Sequence, residues 1–292
     1  MKLKQLKDLP TDVYSLFDPE VHHEVNEENL DTFCENIREM FKHRLAKQEE
    51  ARTPLRFSAL GKPNRQMWYE GHPEEGTKEP MLPKTYLKFM YGALIEEMLL
   101  FLIKEAGHEV KDEQREVEVG GVKGHIDAII DGVVVDVKSA SPYGYKKFET
   151  NTVTQDDPFG YVEQLSGYAH VLTPGKGAAW VAMEKVTGDI CVSELGPIVI
   201  DHHQPEPRID ELKEVLEQDT PPEPCYEPVP DGKSGNMKLP TGCSYCAHKF
   251  RCCEDRGIKL RAFAYSTGPR YLTEVKREPL ATVPEISIEV QK

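Results

Sequence analysis

Residues 123–139 read KGHIDAIIDGVVVDVKS, and this stretch decides the fold. Two alternating apolar runs flank the pair Asp131 and Gly132. Asp-Gly between β-branched runs is a strong signal for a β-hairpin with a two-residue loop. If these two residues form the loop, Ile130 lies opposite Val133 in an antiparallel pair of strands.

The predicted register divides the hairpin into two faces, because successive side chains of a strand point to opposite sides. It places Asp127 opposite Asp136 and His125 opposite Lys138 on one face. Like charges directly opposite each other are destabilising. A divalent cation such as Mg²⁺, which takes one or two carboxylates, would offset that repulsion. The alternative is a solvated face on which the aspartates pair with Lys138 and Lys123. The other face is apolar and suits a core: Ile126, Ala128, Ile130, Val133, Val135 and Val137.

Composition limits the class of protein. The chain has 292 residues, 39% of them hydrophobic, and a net charge of −14, which fits a globular protein of one large domain or two smaller ones. The acidic total argues against a general nucleic-acid coat, although a local basic groove stays compatible with it. The N-terminus lacks the apolar stretch of a signal peptide, and no apolar run is long enough to span a membrane. We therefore expect a cytoplasmic protein without a membrane partner.

The order of helical and strand patterns predicts a mixed α/β core. We expect three consecutive segments: an N-terminal helical segment over 1–83, a core over 84–203, and a C-terminal cysteine module with a hairpin over 204–292. The elements predicted within them are a helix around 29–41, a helix over 86–106, strands over 110–139, a helix over 159–172, a hairpin over 178–195, a helix over 209–218 and a hairpin over 261–275.

Five of the seven cysteines fall within 29 residues near the C-terminal end. In a chain without a secretory signal, such clustering favours metal ligation over disulfides. The spacing of Cys243, Cys246 and Cys252 is a fairly specific metal signal. A fourth donor is needed, and Cys225 is the nearest candidate. Spacing alone leaves an iron-sulfur cluster and a structural Zn²⁺ both open, and it leaves other fourth donors open as well: Cys253, Cys34 and His248.

Asp127, eight intervening residues and then Asp136-Val137-Lys138 resemble the signature of the PD-(D/E)XK nucleases, in which the two acids hold Mg²⁺ or Mn²⁺. Further matches resemble the RecB-type exonuclease branch. Gly92 is followed four residues later by Glu96, where RecB-type enzymes carry a metal-binding His. Carboxylate oxygen suits Mg²⁺ better than imidazole, and the neighbouring Glu97 is the alternative ligand.

Two more motifs carry the same resemblance. Gln164 and Tyr168 match the Q-x-x-x-Y motif of RecB-type nucleases, and residues 56–69 resemble their N-terminal motif. The cysteine spacing is similar to that of CRISPR-associated iron-sulfur exonucleases, and phage-encoded exonucleases belong to the same branch. Several relatives carry a cysteine near positions 62–64. This chain has Lys62, Pro63 and Asn64 there, which leaves the fourth ligand undecided.

The resemblance implies a restriction-endonuclease-like mixed sheet flanked by helices, with a C-terminal cysteine-ligated metal module. It also implies a Mg²⁺- or Mn²⁺-dependent DNA exonuclease that acts on linear, including single-stranded, ends. The implied metal ligands are Glu96, Asp127 and Asp136. Lys138 would assist the attacking water, and the Q-x-x-x-Y pair Gln164 and Tyr168 would position the DNA backbone. The implied cluster is [4Fe-4S], with Zn²⁺ as the alternative, on Cys225, Cys243, Cys246 and Cys252.

Rival functions stay open. The chain could be a non-catalytic DNA-binding or assembly subunit, although none of the expected acids is missing, or a structure- or sequence-specific endonuclease of the same superfamily. A helicase or recombination protein is a further expected partner. For DNA contacts we expect Arg65, together with Tyr145, Lys146 and Lys147 on a Gly-containing loop, because single strands bind surfaces where rings and lysines alternate.

Overall fold

The computed structural model describes residues 4–46, 53–74 and 78–286. These residues form two compact units. The first comprises the described residues of Met1–Gly61 and Leu82–Ile209, and the second those of Lys62–Met81 and Asp210–Lys292. This division differs from the three consecutive segments expected from the sequence, because residues 62–81 pack with the C-terminal region rather than with the N-terminal helices.

The secondary structure alternates helices and strands. The helices are α1 Leu9–Ser15, α2 Glu27–Leu45, α3 Asn64–Gly71, α4 Pro83–Glu105, α5 Pro142–Glu149, α6 Tyr161–Leu172, α7 Pro197–His202, α8 Pro205–Glu217, α9 Thr241–Ser244 and α10 Lys249–Asp255. The strands are β1 Val110–Lys111, β2 Glu116–Val119, β3 Val122–His125, β4 Ala128–Ile130, β5 Val133–Ala140, β6 Ala178–Glu184, β7 Ile190–Leu195, β8 Val229–Pro230, β9 Met237–Lys238, β10 Arg261–Tyr265, β11 Gly268–Glu274 and β12 Glu285–Ile286.

The first unit is built on a five-stranded mixed sheet in the order β1-β4-β5-β6-β7. β5 and β6 are parallel, and the other neighbours are antiparallel. A parallel pair needs a crossover connection, and α5 and α6 supply it between β5 and β6. The mixed α/β core predicted from the sequence is therefore confirmed.

One face of this sheet carries the core of the first unit. Helices α1 and α4 lie against it, and the cluster includes Leu9, Leu99 and Ile103, which are all fully buried. The apolar face of the hairpin joins this cluster through Ala128, Ile130, Val135 and Val137, as the sequence pattern predicts. Burial of these side chains is the main stabilising contribution, at about 25 cal/mol per Å² of apolar surface.

Helices α5 and α6 lie on the opposite face of the sheet. Phe148 of α5 packs on Trp180 of β6, with ring centroids 6.0 Å apart. The segment 143–148, expected as a loop, is helical instead. The side chain of Ser141 caps α5 by accepting a hydrogen bond from the N–H of Gly144, and Pro142 occupies its first turn. These are standard helix-starting signals, so the loop prediction is wrong.

The hairpin turns where the sequence predicts. Asp131 (φ 50°) and Gly132 (φ 81°) both lie in the left-handed region, as a two-residue type I′ loop requires. Ile130 pairs with Val133, which confirms the predicted register. The prediction that His125 lies opposite Lys138 is wrong.

His125 ends a separate two-stranded sheet, in which β3 pairs with β2 and His125 lies opposite Glu116. The chain leaves the extended pairing at Ile126 and Asp127, between β3 and β4. The hairpin strand β4 therefore begins only at Ala128, and the alternation of side chains does not continue back to His125.

The second unit contains another five-stranded sheet, in the order β12-β10-β11-β9-β8. Its core consists of Leu239, Cys253, Ala262 and Tyr271. β10 and β11 form the hairpin expected near the C-terminal end, with Tyr265 opposite Gly268. Among the helices that the structure describes, none is long and apolar enough to cross a membrane.

Candidate active site

Asp136 and Lys138 lie on the same face of β5, the central strand of the sheet. Nζ of Lys138 lies 2.8 Å from Oδ1 of Asp136, with hydrogen-bond geometry, and 2.6 Å from Oδ2. Oδ2 is buried and accepts no hydrogen bond from any described residue. A buried carboxylate oxygen without a hydrogen bond is costly, so the positive charge of Lys138 is what compensates it here.

Asp127 precedes β4 and turns toward the same place. Its Oδ2 accepts a hydrogen bond from the N–H of Val137, at 2.6 Å. Burial raises the pKa of Asp127 well above its ordinary value, and the charges of Asp136 and Glu96 raise it further, against the opposing effect of Lys138. The charge of Asp136, which the predicted register places opposite Asp127, therefore acts on Asp127.

Glu96 approaches these aspartates from α4. Burial raises its pKa to about 7, with further contributions from the charges of Asp136 and Glu97, while Lys138 acts against the rise. Its Oε1 accepts a hydrogen bond from Nε2 of Gln114 at 2.8 Å. The neighbouring Glu97 accepts one from Asn36 instead, at 3.0 Å. Of the two adjacent glutamates, Glu96 is the one whose charge interacts with the hairpin.

The charge of Lys138 is fixed by its surroundings. Burial acts to lower its pKa, but the charges of Asp136 and Asp127 outweigh burial, and the pKa lies above the ordinary value of a lysine. The ammonium also stands 4.7 Å from the centre of the Tyr161 ring, in cation–π contact. Lys138 is therefore positively charged at neutral pH, held between a carboxylate and an aromatic ring.

Gln164 and Tyr168 lie one turn apart on α6. Tyr168 is buried and stacks on Phe57, with ring centroids 4.8 Å apart. Burial raises the pKa of its hydroxyl, and a hydrogen bond from Gln164 acts in the opposite direction. Gly124 gives the hydroxyl room, since a Cβ at Gly124 would lie 2.5 Å from it. Of the two residues, Gln164 is half-buried and lies nearer to solvent, whereas Tyr168 is buried.

The donor set suits a hard cation. Carboxylate oxygens are the ligands that Mg²⁺ and Mn²⁺ prefer, and the unbonded Oδ2 of Asp136 is such a donor. As the side chains lie, no group of three or more His, Cys, Asp or Glu residues in the described ranges is arranged to hold a metal ion. At this site, Lys138 is the cation that contacts Asp136.

The predicted cysteine ligands lie together in the second unit. They line a cavity of about 30 Å³ whose walls include Cys225, Cys243, Cys246 and Cys252, with Cys253 beside them. All are free thiols. Burial raises the pKa of Cys243 to about 12 and of Cys246 to about 11. Soft sulfur donors around one cavity are the right chemistry for zinc or an iron-sulfur cluster. In the described part of the chain, the cysteine side chains are not arranged as ligands around a bound metal ion would be.

The predicted DNA contacts are placed unfavourably for that role. Arg65 is buried in the second unit and donates hydrogen bonds to Sγ of Cys252, the carbonyl of Pro222 and the hydroxyl of Tyr69. Tyr145 is buried on α5, so its ring has no free face for a base. Lys146 and Lys147 are exposed in part but form ion pairs with acidic neighbours, Glu149 and Asp156.

Two further residues, Gln114 and Tyr161, contact the site although neither belongs to a motif named from the sequence. Gln114 bonds to Glu96 from the turn between β1 and β2, at a position with φ 52°; nothing in the sequence around it indicates this. Tyr161 lies three residues before Gln164 on α6, and this helical spacing already predicts that it extends the face formed by Gln164 and Tyr168.

Residues 40–253 match the family model of the PD-(D/E)XK nuclease superfamily. The match covers more than half of the chain, so the protein belongs to this superfamily. The matched range contains the hairpin, Glu96, the Gln164 and Tyr168 pair, and all five clustered cysteines. No curated protein matches the chain.

The solved structures that match the chain share little sequence with it. The crystal structure of SSO0001 is 19% identical, with a TM-score of 0.42, over 74% of this chain and 93% of its own. An alkaline exonuclease (LHK-Exo) from Laribacter hongkongensis is 16% identical, with a TM-score of 0.38, over 62% of this chain and 92% of its own. Its complex with dAMP is 16% identical, with a TM-score of 0.37 and the same coverage.

Proposed function

We propose that the protein is a Mg²⁺- or Mn²⁺-dependent DNA exonuclease of the RecB type, which hydrolyses phosphodiester bonds at linear DNA ends. One observation carries the proposal. In a chain of the PD-(D/E)XK superfamily, Glu96, Asp127 and Asp136 interact electrostatically around one lysine, at the centre of the main sheet.

Glu96, Asp127 and Asp136 would hold the metal ion. When bound, such an ion stabilises charge on the scissile phosphate and lowers the pKa of a water molecule. Lys138 would contribute a permanent positive charge beside the phosphate and orient the attacking water. Because its pKa is raised, Lys138 acts as a hydrogen-bond donor there and not as a proton acceptor.

Other residues of the first unit would position these groups. Gln114 holds Glu96, and the ring of Tyr161 holds the ammonium of Lys138 over Asp136. Gln164, the half-buried member of the Q-x-x-x-Y pair, would donate a hydrogen bond to the DNA backbone. The buried Tyr168 would fix the orientation of Gln164 through their hydrogen bond. Tyr168 is the more buried of the two because its ring stacks on Phe57.

We propose further that Cys225, Cys243, Cys246 and Cys252 bind a [4Fe-4S] cluster or, alternatively, Zn²⁺, and that this centre braces the second unit. The support is the shared cavity and the soft donor set. The cytoplasmic location and a helicase or recombination partner stay predictions from the sequence.

The experiment uses anaerobically purified full-length protein with end-labelled linear DNA and covalently closed circular DNA, in Mg²⁺, Mn²⁺ or EDTA. We expect loss of the linear substrate only, and none in EDTA. Cutting of circles would instead indicate an endonuclease, and binding without cutting in every metal would indicate a non-catalytic subunit. Either result would contradict the exonuclease proposal.

A further inference from the structure

The first turns of α4 expose aromatic rings to solvent. Tyr86, Phe89 and Tyr91 have exposed fractions of 60%, 51% and 47%. The later turns of the same helix are core, and Leu99 and Ile103 are fully buried. Clustered apolar groups on a protein surface mark binding sites. The exposed residues 83–91 therefore have the character of a binding surface, and the rest of α4 packs in the core of the first unit.

The charge of this surface identifies the kind of ligand. Lys84 and Lys88 are the only charged residues from Met81 to Ile95, in a chain of net charge −14. Neither lysine forms an ion pair with any residue in the described part of the chain. The lysines of α5 differ, because Lys146 and Lys147 are paired with acidic neighbours. Lysines without an ion pair beside exposed aromatic rings favour a negatively charged polymer whose flat groups can stack on the rings.

The surface leads to the carboxylate site along one face of the helix. Phe89 and Glu96 are seven residues apart, which is two helical turns and about 10 Å. Gly92 lies between them on that face. A Cβ at Gly92 would lie 3.3 Å from Oγ of Ser139, the residue after Lys138. A strand lying on Phe89 and passing Gly92 would therefore arrive at Glu96.

We propose that residues 83–91 of α4 are a stacking surface for single-stranded DNA that leads a strand end to the site. This inference rests on the proposed function and names its substrate: a single strand with unpaired bases. Bases stack on the rings of Tyr86 and Phe89, which lie three residues apart on one side of the helix, while Lys84 and Lys88 neutralise phosphates. Duplex DNA does not present its base faces, whereas a single strand does, and stacking of this kind accepts any base.

The experiment measures fluorescence anisotropy of a labelled oligothymidylate titrated with full-length protein in EDTA, where no metal-dependent cleavage occurs. The variant Tyr86→Ala/Phe89→Ala should raise the Kd at least tenfold, given the usual contribution of base stacking. The matched control is Phe17→Ala, a ring in the same unit that is 68% exposed, which should bind as the wild type does. Circular dichroism melting verifies that each variant folds.

The two lysines are tested by salt dependence. The variant Lys84→Gln/Lys88→Gln should reduce the slope of log K against log salt by about 1.4, which is about 0.7 for each phosphate released from a single strand. Lys123→Gln, which removes an exposed lysine paired with Glu116, should leave the slope unchanged. An unchanged slope in the double variant would overturn the role of the lysines.

Failure of this inference is distinguishable from failure of the proposed function. If the aromatic variant binds oligothymidylate like the wild type, or if the wild type cuts linear DNA but does not bind the oligonucleotide, the stacking surface is wrong and the exonuclease stands. If the wild type binds through these rings but cuts no DNA, the surface is supported and the exonuclease is contradicted. Dissociation of an oligomer in the aromatic variant, with unchanged DNA affinity, would show that the face joins copies of the chain and would overturn the inference.

Discussion

The carboxylate site of the first unit and the cysteine cavity of the second both gather potential metal ligands, but their charge is balanced in different ways. In the carboxylate site, Lys138 supplies a positive charge that contacts Asp136 directly. In the cavity, burial raises the pKa of Cys243 and Cys246 and keeps these two thiols neutral. In the first site Lys138 therefore neutralises part of the carboxylate charge before a metal binds, whereas the cavity contains no such contact between a cation and the thiol of Cys243 or Cys246 among the described residues, and these thiols must lose their protons to bind a metal. Three carboxylates beside a lysine and four thiols in a cavity therefore differ in how each would accommodate a metal ion.

The largest effect should come from the carboxylate site. Asp136→Asn keeps the shape of the side chain but removes a charge from the metal ligands, so we expect the rate of DNA cleavage to fall by at least about a hundredfold, since a metal contributes several kcal/mol to the transition state. Nuclease assays with Mg²⁺ and circular dichroism on the same samples check this. Asp112→Asn, an exposed aspartate paired with Arg115, is the matched control and should cut normally. A fully active Asp136→Asn would show that this carboxylate holds no essential metal.

The second effect concerns the cysteine cavity. Cys243→Ser should abolish the bound iron or zinc of anaerobically purified protein and lower its melting temperature, because metal binding at a structural centre contributes directly to folding. Metal analysis, the ultraviolet–visible spectrum and calorimetry measure this, and Cys34→Ser, at an exposed cysteine, should change none of them. Wild-type protein that carries neither metal would contradict the ligand assignment and leave the carboxylate site as the sole metal centre of our proposal.

A smaller effect concerns the stability of the metal-free protein. The pKa of Glu96 is raised to about 7 in the folded state, so the folded protein keeps a proton that the unfolded chain loses near its ordinary pKa of 4.5. The resulting penalty is absent below pH 4.5, grows up to pH 7, and is complete above it. Glu96→Gln removes the penalty, which is up to about 3 kcal/mol.

Thermal unfolding in EDTA should therefore show Glu96→Gln melting higher than the wild type at pH 8, with no difference at pH 4.5. Glu109→Gln, at an exposed residue paired with Lys111, provides the comparison and should behave like the wild type at both values. Equal melting temperatures of Glu96→Gln and the wild type at pH 8 would mean that Glu96 is not held among the other carboxylates.

The smallest effect should come from Tyr161. Tyr161→Leu removes the cation–π contact to Lys138, which is about 1 kcal/mol, and should lower kcat about fivefold with little change in KM. Tyr161→Phe keeps the ring and should restore the rate. Steady-state kinetics on linear DNA decides this, and equal losses in the two variants would point to the hydroxyl instead of the ring.

Much of the fold is readable from local signals. The Asp131-Gly132 loop fixes both the turn and the register of the hairpin, because both residues adopt the left-handed conformation that the loop requires. The apolar alternation of the strands correctly predicts which face joins the core. His125 was misplaced because the bend at Ile126 and Asp127 interrupts the alternation, and no glycine or proline marks that bend.

The sequence predicts those residues of the candidate site whose spacing a motif fixes. It does not predict those whose position depends on tertiary contacts. Spacing predicts Asp127, Asp136 and Lys138 and favours Glu96 over Glu97, but only the structure shows which side of α4 faces the hairpin. The interleaved rings and lysines of 143–148 suggested a DNA surface, yet the sequence could not show that Tyr145 packs inward. The similar pattern in 83–91 stays on the surface, because the core contacts of α4 begin only after Gly92.

The central claim is tested most directly by the rate of nucleotide release from end-labelled linear DNA in Mg²⁺, for Lys138→Ala beside Lys123→Ala. Both substitutions remove a lysine that pairs with a carboxylate, but only Lys138 lies among the three acids of the site. The account predicts that Lys138→Ala loses at least about a hundredfold in rate, while Lys123→Ala cuts like the wild type. Undiminished cleavage by folded Lys138→Ala would contradict it.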